Sequence, residues 1–214
     1  MRELDRRKRR NSLATYRPYS KQLEFHAAGA VHRERLFMAG NQLGKTVAGS
    51  NEWSMHLTGR YPDWWPGRRF EHPVRLWASG ETRVSCRDTV QKLLVGEPEK
   101  EEEWGTGAIP GDDIVGTSRA MGVANALDSV TVKNQFGGTS TLLFKAYEQG
   151  RAKWQGDTLH GVWFDEEPPI DIYTEGLTRT NATDGIAMLT FTPLKGMSDV
   201  VQMFLSDSDL QAMK

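Results

Sequence analysis

Short apolar runs recur along the chain, and longer segments with helical patterning separate them. The runs have the length of strands and end at small, polar or acidic residues. They predict strands at residues 35–39, 74–80, 161–164 and 186–193. The intervening segments predict helices that begin at Ser20, as N-cap, and after Lys45, and that cover residues 82–95 and 172–180. Strands that alternate with helices indicate an α/β fold with a mostly parallel sheet covered on both faces.

A glycine pair interrupts this alternation. Residues 130–133 and 141–145 are strand-like on either side of Gly137-Gly138, which predicts a β-hairpin insertion. Residues 97–103 are strongly acidic and precede a glycine-rich stretch, which predicts an exposed insertion. Their carboxylates lack the regular spacing of a metal cage, so we do not expect a metal there.

Composition narrows the class of protein. The 214 residues fit one sizeable domain, and a formal net charge of -1 gives no overall attraction to nucleic acid, so a DNA contact would need a local basic face. A single cysteine, Cys86, excludes an internal disulfide and suits a reducing cytosol, and the five histidines lack the spacing of zinc ligands. No run is apolar and long enough for a membrane span or a signal peptide. We therefore expect a cytosolic protein without membrane contact.

The start of the chain differs from the rest. Residues 6–10 form a basic run, which predicts a flexible basic tail over residues 1–14 and one domain over residues 15–214. Such a run could touch DNA or a partner, although a solvated tail is the more common outcome.

The segment from Ala39 to Thr46 has the ending of a phosphate-binding loop. It follows a predicted strand and closes with Gly44, Lys45 and Thr46. In such a loop, backbone N–H groups surround the phosphates, a Lys reaches the β/γ oxygens and a hydroxyl binds Mg²⁺. Ala39 stands where the pattern has Gly, and Gly40 beside it can supply the turn. The other loop positions that would surround the phosphates are Asn41, Gln42 and Leu43.

A second segment supports nucleotide chemistry. The predicted strand at residues 161–164 runs into Asp165, Glu166 and Glu167. In P-loop ATPases, an Asp at a strand end holds Mg²⁺ and a neighbouring Glu polarises the attacking water, roles that Asp165 and Glu166 fit. A core strand that emerges into a solvated acidic turn is the alternative. The wide separation from Lys45 predicts at least one strand between the two segments, as in ATPases rather than short kinases.

Further segments occur in a suitable order and at suitable spacing, at residues 19–22, 37–45, 56–62, 150–152, 154–158, 160–169 and 176–181. Together they resemble the terminase large subunits of tailed phages, which are DNA-packaging motors. The branch that they resemble most is that of headful-packaging, short-tailed enteric phages. The resemblance runs from Tyr16 to Leu205. It implies a RecA-like P-loop NTPase fold of the additional-strand, catalytic-glutamate type.

The resemblance also implies roles for individual residues. Lys45 and Thr46 would hold phosphate and Mg²⁺, Asp165 the metal, and Glu166 the water. Gln22 would contact adenine, and its alternative is an ordinary surface Gln after a helix cap. Residues 190–193 match the family's coupling motif, in which Thr192 would sense the γ-phosphate, and the alternative there is a buried strand that ends at a proline.

One departure from the family concerns the transition-state cation. Many terminases carry an Arg where this loop has Asn41, and Asn41 cannot supply a positive charge. We expect an arginine finger from elsewhere. Arg151 is the first candidate, and it could reach the ATP of a neighbouring subunit, while Arg179 and Arg83 are alternatives. An ordinary surface or DNA-facing cation is the other interpretation of Arg151.

The second departure is length. Terminase large subunits normally continue into a nuclease domain, in which clustered carboxylates bind two metals. The candidates here, Asp207, Asp209 and Asp112-Asp113, follow no apolar strand that would present them together. We therefore expect the ATPase half alone, without the nuclease domain.

The resulting hypothesis is an ATP-hydrolysing motor domain, with ATP and Mg²⁺ as cofactors, that moves double-stranded DNA into a procapsid in the host cell cytoplasm. Its implied partners are the portal protein, the small terminase subunit and further copies in a ring. A helicase or another nucleic-acid-dependent ATPase is one alternative. A catalytically silent module that docks on the portal or small subunit is the other, and it is favoured by Ala39 and by the missing loop Arg.

Overall fold

A mixed sheet lies at the centre of the computed structural model, which describes residues 5, 9–40, 42–193, 196, 198–206 and 211–213, the last three by backbone alone. Its eight described strands follow the order β3-β4-β5-β2-β6-β7-β1-β8. All neighbouring strands are parallel except those that pair with β4. The strands are β1 (Glu34–Met38), β2 (Arg75–Gly80), β3 (Ile114–Arg119), β4 (Leu127–Lys133), β5 (Thr139–Ala146), β6 (Gly161–Asp165), β7 (Ile186–Phe191) and β8 (Gln211–Met213).

Helices cover both faces of this sheet. They are α1 (Ser20–Ala28), α2 (Lys45–Thr58), α3, α4 (Ile170–Arg179) and α5 (Asp199–Ser206). Helix α3 consists of three consecutive segments, Arg83–Cys86, Arg87–Gln91 and Lys92–Val95, of which the middle one is π-helical. In the part of the chain that the structure describes, no helix combines the length and apolar character needed to cross a bilayer.

Alternating side chains of the central strands build two separate cores. Along β6, Trp163 joins the core that includes Trp53 of α2, whereas Val162 and Phe164 join the core that includes Tyr173 of α4. Both faces of the sheet are therefore buried, which explains why its parallel strands are nearly all apolar. The prediction of a mostly parallel sheet covered on both faces is confirmed.

The predicted strands and helices appear at their expected places. Strand β7 lies between β1 and β6 in the sheet, so the expected intervening strand is present. The hairpin is also confirmed, because β4 and β5 pair antiparallel and Gly137 and Gly138 take the positive φ values that its turn requires. The acidic segment forms a short 3-10 turn with Glu101 and Glu102 exposed, as expected.

Two local predictions were wrong. Strand β3 had no predicted counterpart, because most of its side chains are exposed on the sheet edge and no apolar run marks it. Ser20 is the first residue of α1 rather than its N-cap. The cap is Tyr19, whose backbone N–H donates to Gln22 Oε1 at 3.1 Å.

The end of the predicted basic tail packs on the domain. The Arg10 carbonyl accepts a hydrogen bond from the Gly111 N–H at 2.9 Å, and Ser12 Oγ donates to the Gly107 carbonyl at 2.5 Å. Leu13 is buried in a small cluster with Met55. From Arg10 onward, residues 1–14 therefore do not extend freely from the domain. Residues 1–4 and 6–8 lie outside the described residues, as do Asp207 and Asp209.

Candidate nucleotide-binding site

The predicted phosphate-binding loop connects β1 to α2. Ala39 prolongs the pairing of β1 with β7 by donating its N–H to the Phe191 carbonyl at 3.4 Å. Gln42 and Gly44 then take φ values of 60° and 70°, and Gly44 is the N-cap of α2. A side chain at Gly44 would also place its Cβ 2.8 Å from Gln22 Nε2. The loop thus turns sharply into a helix N-terminus, which favours bound anions. Asn41 lies outside the described residues.

Lys45 crosses this loop from the first turn of α2. Its Nζ donates to the Gly40 carbonyl at 2.7 Å and to Thr192 Oγ1, just after β7, at 3.1 Å. Burial lowers the pKa of Lys45, and the nearby carboxylates of Glu166 and Asp165 oppose this shift. The ammonium therefore lies within the loop, close to both acidic residues of the second motif.

Asp165 is the last residue of β6 and is buried. Its Oδ1 accepts a hydrogen bond from Thr190 Oγ1 at 2.7 Å, and Thr190 Oγ1 in turn accepts one from Trp163 Nε1 at 2.7 Å. Burial raises the pKa of Asp165 to about 7, and the Glu166 charge adds to that shift, whereas hydrogen bonds from Thr190 and Thr46 and the Lys45 charge lower it. A cation beside this carboxylate would favour its charged form.

Glu166 follows directly, in an uncommon backbone conformation. Its φ of 72° is left-handed, and its side chain is exposed at the strand end. Its N–H donates to the Thr190 carbonyl at 3.0 Å, and its carbonyl accepts from the Tyr147 hydroxyl at 2.8 Å. The chain therefore turns immediately after Asp165, which separates a buried carboxylate from a solvent-facing one.

Gln22 lies beneath the loop and is buried. Its Nε2 donates to the Gly44 carbonyl at 2.8 Å, while its Oε1 receives the Tyr19 N–H. The Tyr19 hydroxyl donates to the Leu43 carbonyl. The first turn of α1 thus braces the phosphate-binding loop through two side chains. An adenine contact by Gln22 stays a prediction.

The three candidate arginines are all ion-paired with carboxylates. Arg151 Nε lies 2.9 Å from Glu175 Oε2, and Arg179 Nη2 lies 3.0 Å from Glu175 Oε1. Arg83 Nη2 lies 3.2 Å from Asp128 Oδ1. The side chain of Arg151 is the most exposed of the three, at 58%.

The structure brings Lys45, Thr46, Asp165, Glu166 and Thr192 to one edge of the sheet, where β1, β6 and β7 end. Sequence reasoning missed the bracing by Tyr19 and the contact of Tyr147 with Glu166. Neither has a local signal, because both contacts join separate segments. Thr190 was noticed only within the coupling segment, and its bond to Asp165 was not foreseen.

Comparison with known families identifies the same segments. A family described as "Terminase large subunit, T4likevirus-type, N-terminal" matches residues 36–213. The terminase large subunit of Salmonella phage P22 is 49% identical over 212 residues, which cover 91% of this chain and 42% of that protein. The terminase large subunit of Enterobacteria phage LP7 is 34% identical over 134 residues, covering 60% of this chain and 27% of that protein. The chain thus spans less than half the length of these relatives.

Solved structures share the fold at low sequence identity. The large terminase ATPase domain of Thermus phage P74-26 aligns with a TM-score of 0.65 and 17% identity, covering 94% of this chain and 82% of that one. The large terminase of another thermophilic bacteriophage, in complex with ADP, aligns with a TM-score of 0.59 and 17% identity, covering 92% and 45%. The HK97 bacteriophage large terminase gives 0.61 and 12%, covering 92% and 39%. These alignments support the RecA-like α/β fold.

Proposed function

This chain belongs to the terminase large subunit family, and from that premise we propose that it is the ATP-hydrolysing motor domain that drives double-stranded DNA into a procapsid. The observation that carries the proposal is the meeting of Lys45, Thr46, Asp165 and Glu166 at one sheet edge. An ammonium, a hydroxyl, a buried carboxylate and an exposed carboxylate are the groups that phosphoryl transfer to water requires.

The residues present fit ATP and Mg²⁺. The Lys45 ammonium is held by two neutral oxygens, those of Gly40 and Thr192, which phosphate oxygens can replace. Thr46 and Asp165 offer the hard oxygen ligands that Mg²⁺ prefers, and the raised pKa of Asp165 reflects a buried charge that a cation would compensate. When bound, Mg²⁺ neutralises charge on the β- and γ-phosphates.

The chain's own groups would then divide the chemistry. Lys45 binds phosphate oxygens, and the loop N–H groups at the start of α2 surround them. Glu166 orients the attacking water and accepts its proton, since its side chain leaves the strand end beside Asp165. Thr192 reports the state of the γ-phosphate because Lys45 binds it directly. Gln22 contributes to adenine recognition from α1, next to the loop that it braces.

A further cation for the transition state comes from Arg151 of a neighbouring copy in a ring. Leaving Glu175 is inexpensive for Arg151, because exposed ion pairs contribute little and Arg179 continues to pair with the buried Glu175 carboxylate. The partners of the complete motor are double-stranded DNA, the portal protein and the small terminase subunit. Lys and Arg side chains grip DNA through its phosphates, without sequence readout and with strong salt dependence.

ATP turnover with Mg²⁺, measured against protein concentration, tests this function. We expect specific activity to rise with concentration, because a neighbouring subunit completes the site. Glu166→Gln should lower kcat by about 10²-fold or more while ATP binding persists. Mixing Glu166→Gln with Arg151→Ala should restore part of the turnover, since each mixed interface can contain one intact site.

Lys153→Ala is the matched control, because Lys153 is an exposed cation in the same 3-10 turn, Arg151–Trp154. Its turnover should equal that of the unchanged chain. Low turnover that is insensitive to concentration and to all these substitutions would contradict a motor that works by itself. It would favour a module that acts only when docked on its partners.

A further inference from the structure

The Tyr147 hydroxyl reaches from one strand end to another across the sheet. Tyr147 opens the 3-10 turn Tyr147–Gln149 directly after β5, and β2 separates β5 from β6. Its hydroxyl lies 2.8 Å from the Glu166 carbonyl and 3.1 Å from the Asp165 carbonyl. The hydroxyl therefore contacts the backbone of both acidic residues, next to the peptide bond that joins them.

Glu166 needs such support because of its backbone. At a φ of 72° a non-glycine residue is in a sparsely populated region and persists only where its surroundings hold it. Two backbone hydrogen bonds do so here, the N–H to Thr190 and the carbonyl from Tyr147. The direction in which the exposed Glu166 side chain leaves the strand follows from this conformation.

The tyrosine is suited to a fixed donor role. Burial raises the pKa of Tyr147 well above its usual value, so the hydroxyl keeps its proton throughout the range in which the protein functions. Its ring is 6.0 Å from the Trp154 ring and 6.4 Å from the Phe164 ring, measured between centroids. Phenylalanine at this position would keep these ring contacts and lose only the hydrogen bonds.

We propose that Tyr147 is a positioning residue for Glu166, which holds the glutamate backbone in its left-handed conformation and so aims the carboxylate at the attacking water. The inference rests on the proposed function, in which Glu166 orients that water. Because Tyr147 lies in the segment that continues through Gly150 to Arg151, the same hydroxyl ties the segment of the candidate finger to the candidate base.

Steady-state ATP hydrolysis of Tyr147→Phe provides the first test. Misaiming a general base lowers the rate of the chemical step, so we expect kcat to fall by about 10-fold or more and KM to change by less than about 2-fold. Tyr173→Phe is the matched control. Tyr173 is likewise buried, and its hydroxyl donates to Glu34 at the start of β1, at the opposite edge of the sheet from Asp165.

A purely structural role would move both variants alike in thermal unfolding and leave kcat unchanged. We expect Tyr173→Phe to retain the turnover of the unchanged chain even if it unfolds at a lower temperature. A kcat of Tyr147→Phe within about 2-fold of the unchanged chain would overturn the proposal.

A crystal structure of Tyr147→Phe separates this inference from the proposed function. If the unchanged chain hydrolyses no ATP, the proposed function fails for the isolated domain, whereas the geometry of Glu166 can still be compared. We expect its φ to become negative, or its carboxylate to leave the strand end in another direction. An unchanged Glu166 in the variant would contradict the positioning role whatever the turnover.

Discussion

The Lys45 ammonium lies 3.1 Å from the Thr192 hydroxyl, so the phosphate-binding loop is tied directly to the chain that leaves β7. Strand β7 is the neighbour of both β1 and β6 and also supplies Thr190 to Asp165. A ligand that takes Lys45 away from Thr192 therefore changes the contacts of the strand that lies between the phosphate-binding loop and the acidic motif.

Thr192→Val should destabilise the nucleotide-free protein. The substitution keeps the side-chain shape but removes an oxygen that Lys45 binds, which costs about 1–3 kcal/mol for a buried charged donor. With a non-hydrolysable ATP analogue and Mg²⁺ present, the difference should shrink because phosphate oxygens then bind Lys45. Urea unfolding with and without the analogue measures both values. Thr192→Ser is the control, and an equal loss for Ser and Val would argue against the hydroxyl as the cause.

Asp165 should make stability depend on pH. Its pKa is raised to about 7 in the folded protein, above the unfolded value of 3.8, so the folded state binds its proton more tightly. The contribution of Asp165 to stability is then lost as pH rises from about 4 to about 7 and is constant above that window. Asp165→Asn lacks this loss, so its advantage over the unchanged chain should grow by about 2–3 kcal/mol between pH 5 and pH 8.

Urea unfolding at both pH values checks this prediction without Mg²⁺ or nucleotide. Asp63→Asn is the control, because Asp63 is exposed and its substitution should produce no such growth. If the difference between Asp165→Asn and the unchanged chain stays constant with pH, the carboxylate is ionised throughout the window. The buried environment would then not govern it.

Glu52→Gln should be strongly destabilising. Glu52 is buried in α2 and binds Arg35 of β1 at 2.6 Å and His26 of α1 at 2.7 Å. Burial alone would raise the pKa of Glu52, but Arg35 and the two histidines beside it lower that pKa well below its usual value. Removing the charge leaves Arg35 buried without its counter-ion, which costs about 3–5 kcal/mol.

Chemical unfolding at neutral pH measures this cost. The matched control is Glu24→Gln, whose carboxylate pairs with Lys21 at 2.8 Å on the surface of α1. Exposed pairs contribute at most about 1 kcal/mol, so this variant should stay close to the unchanged chain. Similar losses for both variants would mean that the buried cluster has no special role in joining α1, β1 and α2.

Gly49→Ala should destabilise the protein although alanine favours helices. Gly49 lies within α2, and a Cβ there would stand 2.5 Å from the Trp163 ring of β6. Overpacking of this kind costs about 1–3 kcal/mol and exceeds the gain of about 1 kcal/mol in helix propensity. Gly116→Ala is the comparison, because its nearest atom is Thr131 Cβ at 3.7 Å. Thermal unfolding distinguishes them, and an unaffected Gly49→Ala would show that Trp163 moves freely.

The amino-acid sequence by itself determined the strands that carry the site and the order of its motifs. The loop at residues 39–46 and the acidic end of β6 are continuous segments, and each follows an apolar strand. The C-terminal ends of parallel strands meet at one edge, so Lys45 and Asp165 could be expected together from their places in the pattern. Strand β3 escaped prediction because a half-exposed edge strand needs no apolar run.

Only the tertiary structure decided how those residues are held. Tyr147 meets Glu166, and Glu175 joins Arg151 to Arg179, through contacts that local patterns do not record. Hydrophobic periodicity records which face of one element is buried, but it carries no information on the partner across the interface. Polar contacts of this kind depend on distances between elements that packing establishes. The site's chemistry is therefore visible in local patterns, whereas its geometry follows from the assembled sheet.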